Sequence, residues 1–502
     1  MKPFVLGGAV RLEDLYQVAV LGRKVVLAPK TAARLSAIRA RLENSLKDGR
    51  PVYGINTGFG ELASRRIPGK DCAQLQFNLI RSHACGAGEP FSDEQARGLM
   101  FLRANELARG YSGIRTQTLQ AMVKLLNSGI IPFVPSRGSV GASGDLAPSA
   151  HVALTLLGEG LAREAGGQWK SAAVLLRKKG LKPATLAEKE GLSLINGTQA
   201  MQSVGGLAMI KAFWTWHAAL AAGAMTVEAL KGTPRPFSAE INNLKPHPGQ
   251  VEAAAQLRKM LEHSQIRMSH IEGDTRVQDP YSLRCMPQVH GAVLDALRYA
   301  AGTVETEFSS CTDNPLLVNP EAARPETVSG GNFHGQALSL SFDFACAAMT
   351  SLGNIGERRI YQMVSDSTGM LPPFLAKNPG LESGWMIAQF TAASIASENK
   401  TLAHPASADS IPTSGNKEDF VSMGMWGALK FDKVVENTAT IAALELLAAA
   451  QAVECHAPLK PGKGVCATWK LVREIAPALK GDESIAAHIA FVRKAVLNGV
   501  FA

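Results

Sequence analysis

The sequence predicts a mainly α fold, with a small mixed N-terminal region over residues 1–112 and a large bundle of long helices over residues 113–502. Three observations predict it. Only 6% of the residues are aromatic while alanine is abundant, which suits closely packed helices better than sandwiched sheets. From Thr116 onward apolar residues recur at helical spacing almost without interruption. The segment ATIAALELLAAAQAVE, residues 439–454, is apolar nearly all round, as a helix inside a bundle must be.

In chain order, the N-terminal region mixes short β-like pieces, KVVLAP and PVYGINTG, with helical ones, TAARLSAIRARLENSL and AQLQFNLIRSHA. In the first of these helices Leu35, Ile38 and Leu42 share a face, with charges opposite. LQAMVKLLNSG ends on Gly129, placed to take the left-handed φ that closes a helix. LSLSFDFACAAMTSLGNIGERRI continues the helical pattern. No repeat of fixed period and no low-complexity linker interrupts it.

Composition narrows the function. With 46% hydrophobic and 19% charged residues the chain reads as a soluble globular protein. Its net charge of +9 is spread thinly, without the dense basic block that binds nucleic acid or an anionic membrane, and leaves a mild attraction for anionic substrates. The seven cysteines form no CxxC pair, which suits reduced, packed thiols in the cytoplasm. The N-terminus meets Arg and Glu too soon for a signal peptide, and no run of about 18 apolar residues is available to span a membrane. No HExxH and no clustered His/Cys set appears, so no metal is expected.

The stretch with most chemistry in it is PSRGSVGASGDLAPSAH, residues 135–151. Read locally it is a glycine-rich turn in which Asp145 or Ser143 caps the helix LAPSAHVALTLLGEGL, with Pro148 in its first turn. Ala142, Ser143, Gly144 and Asp145 also hold the ingredients of an internal cyclisation. Gly144 has no Cβ to obstruct its nitrogen from reaching the carbonyl carbon of Ala142. Ser143 carries a β-hydroxyl that can leave as water, and Asp145 sets a carboxylate beside those protons. Ring closure with loss of two waters gives a methylidene-imidazolone, a conjugated electrophile.

GSVGASGDLAPSAH resembles the signature of the aromatic amino acid ammonia-lyases, and the likeness runs through separate blocks from about residue 10 to near the C-terminus. The resemblance implies the fumarase/aspartase-like ammonia-lyase fold. It implies that Ala142-Ser143-Gly144 matures into 4-methylidene-imidazole-5-one (MIO), with Asp145 assisting and with no metal or dissociable cofactor. It implies a small-molecule substrate, an amino acid, and a homotetramer in which three subunits build each site.

The other blocks carry the remaining site residues by the same resemblance. In PVYGINTGFGEL, Tyr53 matches a site tyrosine on a mobile loop; the spacing of Gly54, Gly58 and Gly60 fits neither a phosphate loop nor a dinucleotide fingerprint. In LQFNLIRSHACGAGEPF, His83 falls where the substrate side chain is read, a place that phenylalanine-selective members fill with an apolar residue. In LINGTQAM, otherwise a turn, Asn196 lies beside the MIO carbonyl and would stabilise charge developing there. QDPYSLRCMPQVHGA offers Arg284 as the clamp on the substrate carboxylate, Tyr281 as the proton-transferring group and Gln278 as a lining residue. A tyrosine serving as base at neutral pH needs a nearby cation or a helix N-terminus. Phe333 in GGNFHGQALSLSFD matches an aromatic that shields the electrophile.

SIPTSGNKEDFVSMGM, residues 410–425, bears on the substrate. As local structure it is a polar turn with Glu418 and Asp419 capping a helix. Histidine-type members read close to NQEDHVSM there, and tyrosine and phenylalanine lyases carry Gln at the Glu position. Glu418 therefore implies deamination of L-histidine to trans-urocanate and ammonia. Lys417 and Phe420 depart from that pattern, where Gln and His are usual. A tyrosine or phenylalanine ammonia-lyase, an aminomutase, and a helical scaffold with a decayed site remain open alternatives.

Overall fold

A computed structural model describes residues 1–47, 52–58, 64–274, 276–365 and 369–502. Helices carry the chain, and the longest lie where small apolar residues are densest. Gln199–Ala229 and Gly424–Glu454 have 31 residues each, Gln336–Val364 has 29 and Met286–Phe308 has 23. At the α-helical rise a 31-residue helix reaches about 46 Å. The strands are short, and the sheets have two or three strands each among the described residues.

Contacts divide the described residues into two units. The first is Met1–Leu207 with Ala301–Phe342 and Pro405–Leu429; the second is Ala208–Ala300 with Asp343–His404 and Lys430–Ala502.

In the first unit Val25–Val26, from the β-like KVVLAP, pairs in parallel with Phe4–Val5. The helix Pro29–Leu46 buries Leu35, Ile38 and Leu42 on one face, and Ile38 and Leu42 pack with Ile55 and Leu317. The second β-like piece turns out differently. Tyr53–Asn56 is a turn, because the Asn56 side chain accepts the Val52 amide at 2.7 Å and the Ile55 amide reaches back to the Val52 carbonyl at 3.1 Å, while Thr57 keeps a β character, bridging Arg66 in antiparallel fashion. A polar side chain has given that backbone a local alternative to the ladder. Residues 51 and 59–62 of the same block, Gly60 included, lie outside the described residues. Gly129 closes its helix with φ +78°, as expected of a left-handed C-terminal glycine. Ser92 opens the helix Asp93–Leu107 with a reciprocal cap: its hydroxyl accepts the Gln95 amide at 3.2 Å, and Gln95 Oε1 accepts the Ser92 amide at 3.0 Å.

The second unit shows why an apolar helix tolerates one acid. From Ala439 to Val453 the helix is buried along nearly its whole length, with Glu445 inside it. Arg359 meets Glu445 with Nε at 2.5 Å and Nη2 at 2.9 Å, and Thr226 donates to the same carboxylate at 2.9 Å. The His290 ring lies 3.2 Å from Arg359 Nη1. Burial pushes Glu445 upward, against the pull of Arg359, and holds the His290 imidazole well below its ordinary value.

No helix among the described residues is long and apolar enough to cross a membrane. All seven cysteines are free, and burial pushes the Cys346 thiol up to about 12.

Candidate active site

The loop Gly138–Asp145 is held from several sides within the first unit. Gly335 N donates to the Gly141 carbonyl at 3.0 Å, Ser422 Oγ donates to the same carbonyl at 2.7 Å, and Met423 N donates to Val140 O at 2.8 Å. Gly144 has φ +76° and bridges Gly197, whose backbone occupies the space any Cβ on Gly144 would need. Only glycine fits there. The amide of Asp145 donates to the Gly197 carbonyl at 2.7 Å.

Asp145 is the residue before the helix Leu146–Leu156, yet its carboxylate caps nothing on that helix. It accepts instead from Met201 N at 2.9 Å, in the first turn of Gln199–Ala229, and from Ser139 Oγ at 2.7 Å. Burial raises it to about 6, with those hydrogen bonds opposing the rise. The capping expectation for Asp145 thus gives way to a buried carboxyl that joins two chain segments.

Ser143 faces a cavity of ≈ 470 Å³ whose walls include Tyr53, Leu79, His83, Asn196 and Glu418. Its hydroxyl donates to Glu418 Oε1 at 2.6 Å, and Thr413 Oγ1 donates to Glu418 Oε2 at 2.8 Å. Glu418 caps no helix; the next one begins at Gly424. It sits in a turn closed by Thr413 N to Glu418 O at 2.9 Å, and that turn holds Ser414 and Asn416 at φ of +52° and +67°. Side chains in the left-handed region are strained, and such strain gathers where a site needs a group aimed. Phe420 is not part of the cavity wall: it stacks on His334 with ring centroids 6.0 Å apart.

His83 ends the helix Cys72–His83, with Nδ1 3.0 Å from Ser82 Oγ. Burial lowers its imidazole from the ordinary value, opposed by a hydrogen bond to Leu79 and by the charge of Glu418. Asn196 is 5% exposed, and its Oδ1 is buried without a hydrogen-bond partner. A buried unpaired amide oxygen is costly, so its presence on a cavity wall marks a place for a ligand group.

A buried polar layer fixes the Asn196–Gly197 turn. Arg103, 2% exposed, donates through Nη2 to the Asn196 carbonyl and to Gln199 Oε1. Glu106 lies 3.5 Å from Arg103 and accepts the amides of Thr312 and Asp313 at 2.7 and 2.9 Å. Sequence reasoning missed this pair. The available signal was two charges among the apolar residues of GLMFLRANEL.

Phe333 is half-buried and outside the cavity wall, on the turn tied to Gly141 through Gly335. Gln278, Tyr281 and Arg284 belong to the second unit. Tyr281 opens the four-residue helix Tyr281–Arg284, is 71% exposed, and carries Arg284 Cζ 4.6 Å from its ring centroid. Arg284 Nε is buried without a hydrogen-bond partner, and Gln278 is exposed.

Comparison with known proteins decides the family. The model of the aromatic amino acid lyases matches residues 10–474. The chain belongs to the aromatic amino acid lyase family.

This lyase is 49% identical over 500 residues to a histidine ammonia-lyase of Myxococcus xanthus (strain DK1622), covering 99% of this chain and 97% of that protein. Its fold is similar to the crystal structure of histidine ammonia-lyase from Trypanosoma cruzi, with a TM-score of 0.91 and 40% identity over 99% of this chain and 94% of that one. It is also similar to tyrosine aminomutase from Streptomyces globisporus, with a TM-score of 0.93 and 35% identity over 99% and 97% of the two chains. The expected mainly helical lyase fold is the observed one.

The residues present in this lyase fit an MIO group. The glycine that must close the ring stands where no side chain is tolerated, and a buried carboxyl follows the tripeptide. Among the described residues no group of three or more His, Cys, Asp or Glu is placed to hold a metal.

Proposed function

We propose that this chain removes ammonia from L-histidine to give trans-urocanate, using an MIO group formed from Ala142, Ser143 and Gly144. The observation that carries the reading is the presence of His83 and Glu418 on the same cavity wall as Ser143. A carboxylate and an imidazole suit a ring that bears N–H groups and have no comparable use for a bare phenyl ring. The 49% identity to a histidine ammonia-lyase supports the same substrate.

The group itself supplies one thing, a conjugated electrophile that makes the substrate amine a better leaving group. The side chains supply the rest. Arg284 pairs with the substrate carboxylate through its planar guanidinium. Tyr281 takes the β-proton, and Tyr53 assists proton transfer from the loop it occupies. His83 and Glu418 hold the substrate ring, Asn196 donates toward oxygen charge, and Gln278 and Phe333 enclose the substrate. Asp145 serves the maturation of the tripeptide. Holding the β-carbon against the base and the amine against the electrophile is worth several powers of ten in rate. We further propose a cytoplasmic homotetramer whose sites combine residues of three subunits.

The experiment is a substrate panel followed by the ultraviolet absorbance of the conjugated product, with Ser143→Ala as control. Urocanate from histidine supports the reading. Cinnamates or β-amino acids from tyrosine or phenylalanine, with histidine untouched, would replace it with the lyase or aminomutase alternative.

A further inference from the structure

Ser82 lies outside every role assigned above, yet it touches the residue that reads the substrate ring. Its Oγ is 3.0 Å from the Leu79 carbonyl and 3.0 Å from His83 Nδ1. A carbonyl oxygen can only accept, so the single hydroxyl proton of Ser82 goes to Leu79. What Ser82 then turns toward His83 is a lone pair, and the ring nitrogen facing it must bring the hydrogen. We propose that Ser82 is a positioning residue that fixes His83 with its proton on Nδ1, so that Nε2 offers a lone pair to the substrate ring.

The assignment rests on the histidine reading for its substrate and deepens it. Burial lowers the His83 imidazole from its ordinary value and so favours the neutral ring, which holds one proton and gives its two nitrogens opposite roles. Glu418 in the same cavity is an acceptor too once Ser143 no longer donates to it. His83 Nε2 and Glu418 then both face the substrate ring as acceptors, and a ring that binds between them must donate. A neutral imidazole donates one N–H and a phenol one O–H. A phenyl ring, or a histidine methylated on the nitrogen facing His83, donates nothing and leaves Nε2 unpaired.

The test is nitrogen-15 NMR of the full protein labelled at histidine, with His83→Gln used only to assign the His83 signals. The expected result is a protonated Nδ1 and an unprotonated Nε2. Ser82→Ala should raise KM for histidine ~3- to 10-fold, the effect of one ordinary hydrogen bond, with kcat within about twofold. It should also weaken rejection of the ring-methylated analogue, and Ser82→Thr, which keeps the hydroxyl, should restore both. A proton on Nε2 in the unsubstituted protein would overturn the proposal, and so would a Ser82→Ala protein with unchanged tautomer and KM. An Nδ1–H ring in a preparation that releases no urocanate upholds the tautomer and defeats the substrate reading instead.

Discussion

The hydroxyl of Ser143 donates to Glu418 Oε1 at 2.6 Å, so the residue proposed to supply the methylidene carbon and the residue proposed to select the substrate share one hydrogen bond. Loss of the Ser143 hydroxyl leaves that carboxylate oxygen without its donor. Formation of the electrophile would thereby open the substrate site, since Thr413 holds only the other oxygen.

Glu418→Gln keeps the size of the side chain and removes its charge. A charge-assisted hydrogen bond contributes more than a neutral one, so kcat/KM for histidine should fall about 10- to 100-fold. Any turnover of tyrosine should fall less. Steady-state kinetics on both amino acids checks the difference; equal losses would argue against a role in reading the ring.

Gly144→Ala should fail at the level of structure. Its φ of +76° is unfavourable for alanine, and the new methyl would enter the backbone of Gly197. Strain at such a position costs about 1–3 kcal/mol before the overlap is counted. Thermal denaturation should show a lower midpoint than for Ser143→Ala, which adds no atoms.

Asp145 makes stability depend on pH in a defined direction. Its carboxyl titrates near 3.8 when unfolded and at about 6 when folded. The folded chain therefore holds a proton that the unfolded chain has released between those values. Its contribution is complete below 3.8 and is lost as pH rises through about 6, amounting to at most ~3 kcal/mol. Asp145→Asn should flatten this component of midpoint against pH between about 4 and 6. It should also impair maturation, read by intact mass.

Arg103→Met would leave Glu106 buried and uncompensated while releasing the Asn196 carbonyl. Breaking a buried pair on one side costs about 3–5 kcal/mol. Differential scanning calorimetry should record a clear loss, and Arg103→Lys, which keeps the charge, a smaller one.

The sequence made some of this legible and hid the rest for physical reasons. Helical periodicity placed Leu35, Ile38 and Leu42 in the core, and the glycine rule placed the end of the helix at Gly129, because both signals are local. The cavity joins Tyr53, His83, Ser143, Asn196 and Glu418 across more than 360 positions (53 to 418); the chemistry of the tripeptide pointed to Ser143, and only the resemblance named the other four in advance. PVYGINTG looked like a strand because a β-branched or aromatic run is blind to the Asn56 side chain that folds it into a turn. Arg103 and Glu106 were unreadable because a charge in an apolar helix does not say which distant carbonyl or amide it will meet. Thr413 and Ser82 were missed for the same reason, being ordinary hydroxyls until the partner is in place.

Intact-protein mass spectrometry of the purified chain tests the central claim most directly. The account predicts a mass below the encoded value by that of two waters, with Ser143→Ala at its own encoded mass and inactive. An active preparation whose mass equals the encoded sequence would contradict it.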